Sequence, residues 1–223
     1  VTTHVILSGG IDSTVALAWA LGPGYSGSPR AVSFDYGQRH LREVDAARKV
    51  ARRMGVPHHT INLRGLLAGS ALLGEQEVPH GHYAEDSMTA TVVQGRNLLF
   101  AAAALAGTRP GDTLVLGVHA GDHPIYPDCR PGFWAHVDAA ADAYDVHVAT
   151  PFVHDTKADV VGYGESWDAP LHLTWSCYEG GEEHCGRCGT CVERAEAFHV
   201  AGVPDPTVYA DPDFWMAATR AQA

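Results

Sequence analysis

Apolar positions along this chain come in two rhythms. Short, almost unbroken apolar runs at Val5–Leu7, Arg30–Phe34, His58–Leu63, Thr113–Val118 and Val146–Ala149 have the length and β-branched character of buried strands. Between them lie longer stretches in which apolar residues return at helical intervals. Val15–Leu21 is one, and Leu41–Met54, ended by Gly55-Val56-Pro57, carries its charges on the opposite face. Leu98–Ala106 is so apolar that it predicts a helix buried on most faces, and Gly132–Tyr144 predicts a further helix. Lys157-Ala158-Asp159-Val160-Val161 reads as a helix start, and residues 23–29 as a Gly/Pro/Ser turn. Strands alternating with helices predict an α/β fold, a doubly wound, mostly parallel, Rossmann-like sheet. The rhythm fades between Arg64 and Gln94. A short helix candidate lies near Leu66–Leu73, and Glu75–Gln94 reads either as a flap near the site or as a disordered excursion.

The joint between the first strand and the first helix carries Ser8-Gly9-Gly10-Ile11-Asp12-Ser13-Thr14. Glycines let backbone approach a ligand, and the unpaired amides of a helix start favour negative charge, so the joint reads as a phosphate loop. Ser8, Ser13 and Thr14 offer hydroxyl donors, and Asp12 offers a carboxylate for a magnesium ion. No lysine follows at the Walker position, which disfavours a P-loop NTPase; the bland alternative is a glycine turn with a Ser or Asp cap. Ligands of open α/β sheets lie beyond the carboxyl ends of strands, so Asp35-Tyr36-Gly37-Gln38-Arg39-His40 should face the same crevice. Arg96 opens a helix, where the macrodipole disfavours a cation unless an anion is near.

Composition narrows the classes. A chain of 223 residues suits one α/β domain, with a C-terminal subregion from about residue 172 set apart by its cysteines. A net charge of −11 opposes a nucleic-acid partner, and no apolar run is long enough to span a membrane. The strand-like first residues predict no secretory signal and a cytoplasmic location.

Four of the five cysteines, Cys177, Cys185, Cys188 and Cys191, are spaced C-x7-C-x2-C-x2-C, with Gly186 and Gly189 in the turns. Two-residue spacers bring thiolates onto one ion, and four of them close a tetrahedron, which favours structural zinc; an iron–sulfur cluster is the rival. Cys129 stands alone in Tyr126-Pro127-Asp128-Cys129-Arg130-Pro131 and reads as a packed thiol, with a nucleophile as the alternative.

The first loop resembles that of the PP-loop ATP pyrophosphatases. SGGIDST, FDYGQRH (Phe34–His40), GRN (Gly95–Asn97), YPDCR (Tyr126–Arg130), the stretch Thr150–Val161 and the cysteine-rich stretch Trp175–Phe198 resemble, in order and along almost the whole chain, the QueC family of 7-cyano-7-deazaguanine synthases. The resemblance implies a zinc-containing, ATP-dependent ligase, often a homodimer, acting on small molecules: a deazapurine carboxylate, ammonia and ATP. ATP would be held by Leu7, Ser8, Gly9, Gly10, Ile11, Asp12, Ser13 and Thr14, with Phe34, Tyr36, Gln38, Arg39, Gly95 and Arg96. Asp12, Ser13, Arg96 and Lys157 would serve catalysis, and Asp12 or Asp122 would hold magnesium. Tyr36, His40, Asp122, Tyr126, Asp128 and Arg130 would recognise the deazapurine.

Two departures from the family pattern flank this pocket. Ala90-Thr91-Val92-Val93-Gln94 precedes GRN where the family commonly has a proline, and Pro124-Ile125 precedes YPDC where it commonly has a glycine. They leave as an alternative a divergent paralogue that stops at the amide or joins the adenylated deazapurine to another amine. A tRNA-thiolating PP-loop enzyme would need a basic surface, which the charge opposes, and a zinc-knuckle binding module would leave the ATP loop unexplained.

Overall fold

The computed structural model describes residues 1–23 and 27–221, so the middle of the turn predicted over 23–29 lies outside the described residues. Five strands, β1 (Thr2–Ile6), β2 (Ser28–Asp35), β3 (His58–Asn62), β4 (Thr113–Val115) and β5 (His147–Ala149), form one sheet in the order β3-β2-β1-β4-β5. All four pairings are parallel, with Val5 opposite Ala31 on one side and Val115 on the other. The predicted doubly wound parallel sheet is therefore present. Its strand order reverses between β1 and β4, the place where such sheets open a crevice at their carboxyl ends.

Period-two alternation decides which helix packs where. Val5 and Leu7 point to one face, where they meet α1 (Ile11–Leu21), α2 (Arg42–Arg53), α5 (Lys157–Ser166) and α6 (Gly189–Ala201). Ile6, Val32, Phe34 and Leu114 point to the other, against α3 (Arg96–Leu105) and α4 (Pro131–Ala141). Val5 and Leu7 are fully buried, each contributing about 1.5–3 kcal/mol of transfer free energy. A last helix, α7 (Phe214–Arg220), packs on α6.

Four expectations need correction. The first helix starts at Ile11 and not Val15, because its polar first turn belongs to the loop. Leu66–Leu73 forms turns rather than a helix, interrupted by Gly65 and Gly69 at φ +81 and +82. The stretch 75–94 is folded: it holds a 3-10 helix at Asp86–Thr91 and docks on the cysteine-rich segment through Gly81 N–H to the Arg187 carbonyl (3.0 Å). Finally, α3 buries Phe100, Ala101 and Ala104 but leaves Leu98 52% exposed, so one apolar face is open beside Phe133 and Val137 of α4.

Candidate active site

The loop after β1 is built as its residues suggest. Gly10 caps α1 with no side chain on the first-turn amides, which leaves them for an outside acceptor. Ser13 Oγ organises the turn from within, accepting from Ser8 N–H (3.1 Å) and Gly9 N–H (3.3 Å) and lying 3.0 Å from Ser8 Oγ. Gly9 has φ +96, and a Cβ there would strike the Glu43 carbonyl and the Ala47 amide. Only glycine permits this approach of the loop to α2.

Behind the loop lies a buried ion cluster. A capping box, Thr156 with Asp159, starts α5 and fixes Lys157 in its first turn. Lys157 Nζ donates to Asp12 Oδ2 at 2.7 Å and lies 3.5 Å from Glu193 Oε2 of α6. His119, fully buried after β4, brings Nε2 to 3.5 Å from Asp122, 3.7 Å from Glu193 and 3.9 Å from Asp12. Burial acts to raise the Asp12 carboxyl, but Lys157 and His119 hold it below the usual carboxylate range. Burial acts to lower Lys157, and Asp12, Glu193 and Asp122 hold it above its usual value instead. Burial pushes the Glu193 carboxyl up against the opposing pull of Lys157 and His119.

The donor set suits a hard cation. The ligand atoms of His119, Asp122 and Glu193 lie within 4.8 Å of one another, and Asp12 Oδ1, 3.9 Å from His119 Nε2, is buried without a hydrogen-bond partner. His119 Nδ1 accepts from Gly121 N–H (3.1 Å), which turns Nε2 toward the carboxylates of Asp122 and Glu193. The remaining ligands are oxygens.

In front of the loop the pocket takes in Leu7, Ser8, Gly10, Ile11, Asp12, Ser13, Phe34, Tyr36, Gln38, Arg96, Asp122, Tyr126 and Lys157. Arg96, first residue of α3, is surrounded by Tyr36, Tyr178, Cys129 and Tyr126, which hold its charge firmly despite burial. Burial pushes Tyr36 up to about 12. Tyr126 Oη lies 2.6 Å from Thr91 Oγ1, which carries the folded 75–94 stretch to the pocket wall.

Other predicted site residues stand outside that lining. Gly9 packs on α2, and Thr14 is buried behind the loop. Arg39 donates to the Gln76 carbonyl (2.7 Å), and His40 Nε2 pairs with the Tyr178 carbonyl at 3.2 Å. Gly95, at φ +72, is the N-cap of α3. Asp128 accepts from Asn97 N–H (3.2 Å), and Arg130 donates to the His123 carbonyl (2.9 Å). These residues hold the walls in place. The sequence reading missed Glu43, His119, Trp175, Tyr178 and Glu193, all near or in the pocket. Glu193-Arg194 offered a signal, since two adjacent charges inside an otherwise apolar helix face require buried partners.

The four cysteines converge. Their sulfurs lie within 4.8 Å of one another, and the Sγ of Cys177 and of Cys185 accept backbone N–H bonds from Cys185, Arg187 and Cys188 at 3.3 Å. Amide donors aimed at sulfur suit thiolates on a metal, and the tetrahedral set fits one ion. Trp175, two residues before the first cysteine, donates its amide to the Gly9 carbonyl (2.9 Å), which ties this metal segment to the phosphate loop. Burial pushes the Cys129 thiol well up, so it sits as a packed thiol in the pocket wall.

A glycine loop at the switch point of a parallel sheet, backed by a buried Asp–Lys pair and joined to four converging cysteines, has the layout of an ATP-using enzyme of the PP-loop class. A family model described as "Queuosine biosynthesis protein QueC" matches residues 2–202. The proteins named 7-cyano-7-deazaguanine synthase from Rhizobium meliloti and Paracoccus denitrificans are 56% and 54% identical, covering 97% of this chain and 95% and 96% of their own lengths. The NMN synthetase from Francisella tularensis superposes over 99% of this chain and 86% of its own with TM-score 0.47 and 16% identity, too distant a likeness to inform the site. The chain belongs to the QueC family.

Proposed function

We propose that the chain is an ATP-dependent carbon–nitrogen ligase that converts 7-carboxy-7-deazaguanine and ammonia to 7-cyano-7-deazaguanine, preQ0. The observation that carries the reading is that the uncapped start of α1, Lys157 and Arg96 all border one pocket whose far wall is aromatic. The substrate carboxylate attacks the α-phosphorus of ATP; an acyl–oxygen–phosphorus bond forms and pyrophosphate leaves. Ammonia then adds to the acyl carbon and AMP leaves, giving the amide. The amide oxygen then attacks the α-phosphorus of a second ATP, a second pyrophosphate leaves, and loss of AMP with two protons from nitrogen gives the nitrile.

The chain's own groups suit these steps. The loop amides bind the α-phosphate, and Lys157 and Arg96 neutralise charge developing toward pyrophosphate. Asp12 fixes Lys157 in place, and Asp122 and Glu193, with His119 beside them and Asp12 at the edge of the set, would hold magnesium. When bound, that ion supplies charge neutralisation on the phosphates. Cys177, Cys185, Cys188 and Cys191 would hold zinc in a structural role that orders residues from about 172 onward, since no ligand position is left open.

Tyr36, with its ring edge-on to Phe100 (5.3 Å between centroids), and Tyr126 are placed to flank a planar base. The departures from the family pattern fit the standard reaction, because Gln94 is exposed outside the pocket lining and Ile125 is buried beneath it. The open apolar face of Leu98, Phe133 and Val137 supports a homodimer, to be checked by the mass of the protein in solution. Among the described residues no helix is long and apolar enough to cross a membrane; the cytoplasmic location proposed for the chain rests on small-molecule biosynthesis instead.

The test is mass spectrometry of a reaction with ATP, magnesium, ammonium and 7-carboxy-7-deazaguanine, with AMP and pyrophosphate quantified. Nitrile with AMP is expected. Amide as the end product would favour the divergent paralogue, and no AMP would refute the adenylation reading.

A further inference from the structure

The acidic groups that border the pocket fall into two sets. Asp12, Asp122 and Glu193 are gathered around Lys157 and His119 and are engaged there. Glu43 stands apart on the first turn of α2, on the side of the pocket that holds Tyr36 and Arg96. Its place relative to the phosphate loop is rigid, because its own backbone carbonyl is what excludes a side chain at Gly9. The backbone that carries Glu43 is thus fixed against the loop, and its side chain borders the same pocket.

Glu43 is also unsatisfied in a specific way. Burial pushes its carboxyl up to about 7, and the charge of Arg96 is what opposes this; no hydrogen-bond donor among the described residues contributes. A half-buried carboxyl beside a binding pocket with no donor of its own matches a ligand that brings donors. A carboxylate takes two parallel N–H donors in a fork, as it does from a guanidinium. The deazaguanine ring carries such a pair on one edge, its ring N–H and its exocyclic amino group. Adenine does not, since its corresponding edge sets a ring acceptor beside the amino group, and that acceptor would face the carboxylate with repulsion.

We propose that Glu43 is the specificity residue of this enzyme, its carboxylate receiving the ring N–H and the 2-amino group of the deazaguanine. The assignment rests on the deazapurine reading of the pocket and adds the group that tells a guanine-type base from an adenine-type one. Discrimination of this kind is strong, because an analogue without the donors leaves a half-buried carboxylate unpaired once the ligand covers it, and such sites reject the wrong ligand by about 10²-fold or more.

The experiment is calorimetric binding of 7-carboxy-7-deazaguanine, of its analogue lacking the 2-amino group, and of ATP to the metal-loaded wild-type protein and to Glu43→Gln, with unfolding midpoints checking that the variant folds. Wild type is expected to prefer the parent base over the analogue by about 10²-fold; Glu43→Gln should bring the two within about 10-fold and leave ATP affinity within about 3-fold. Glu43→Asp, which keeps the carboxylate, should restore part of the preference. Unchanged preference in Glu43→Gln overturns the proposal. So does a loss confined to ATP, which would place Glu43 on the ribose hydroxyls. Turnover is read separately: wild type that binds the base with this preference but forms no nitrile refutes the proposed reaction and leaves the role of Glu43 standing.

Discussion

Replacing Lys157 with methionine keeps most of the side-chain volume and removes the single ammonium among Asp12, Asp122 and Glu193. In the wild type the Lys157–Asp12 contact is 2.7 Å, with side chains 14% and 19% exposed. At that distance and an effective dielectric near 20, the Coulomb attraction is about 6 kcal/mol. Desolvation of both groups offsets part of it, so the net effect of removing one partner should be about 3–5 kcal/mol of destabilisation near neutral pH. The pH dependence separates this mechanism from a packing defect. In the wild type the Asp12 carboxyl lies below its unfolded value, so its contribution is present above about pH 4 and is lost as pH falls through the folded value.

Without Lys157, burial dominates and the carboxyl rises, so the variant loses stability as pH rises from 5 to 8. The gap between the two proteins should be widest at pH 8 and smallest near pH 5. Urea unfolding followed by tryptophan fluorescence at both pH values measures it. A gap below about 1 kcal/mol at pH 8, or one that does not change with pH, would refute the claim that Lys157 compensates buried carboxylates.

Two further perturbations probe the loop and the metal segment. Gly9→Ala places a Cβ against the Glu43 carbonyl and the Ala47 amide at φ +96, so a loss above about 2 kcal/mol and a fall in Tm of at least about 4 °C are expected, with ATP affinity reduced; an unchanged Tm with intact ATP binding would count against the loop assignment. Cys188→Ser should release about one metal ion per chain by elemental analysis, and should speed limited proteolysis within residues 75–94, which that segment holds; full metal retention would refute the four-cysteine site.

What could be read from the sequence follows from where each residue's partners lie. The shape of the loop between β1 and α1 was legible because its determinants are local: two glycines, a strand before them and a helix after. Lys157 was legible as the start of a helix through Thr156 and Asp159, though its bond to Asp12, 145 residues away, was not. Glu43 was hidden because α2 carries Arg42, Glu43, Asp45 and Arg48 in sequence, and an amphipathic pattern assigns all of them to solvent. The pocket lining shows which of the four faces inward, since Glu43 is in it and the other three are not. The 75–94 stretch has no periodicity because it packs on the cysteine-rich segment instead of on the sheet, so Gly81 and Arg187 find each other across the chain. The open face of α3 was invisible for the opposite reason: apolar residues at Leu98 and Ala102 look like core whether or not anything covers them.

The bond from Trp175 N–H to the Gly9 carbonyl, together with the antiparallel bridge between His80 and Cys188, fastens the loop after β1 and the 75–94 stretch to one cysteine-rich segment. Loosening the cysteines therefore reaches the Gly9 loop through main-chain bonds, so the order of one corner of the molecule sets the order of another.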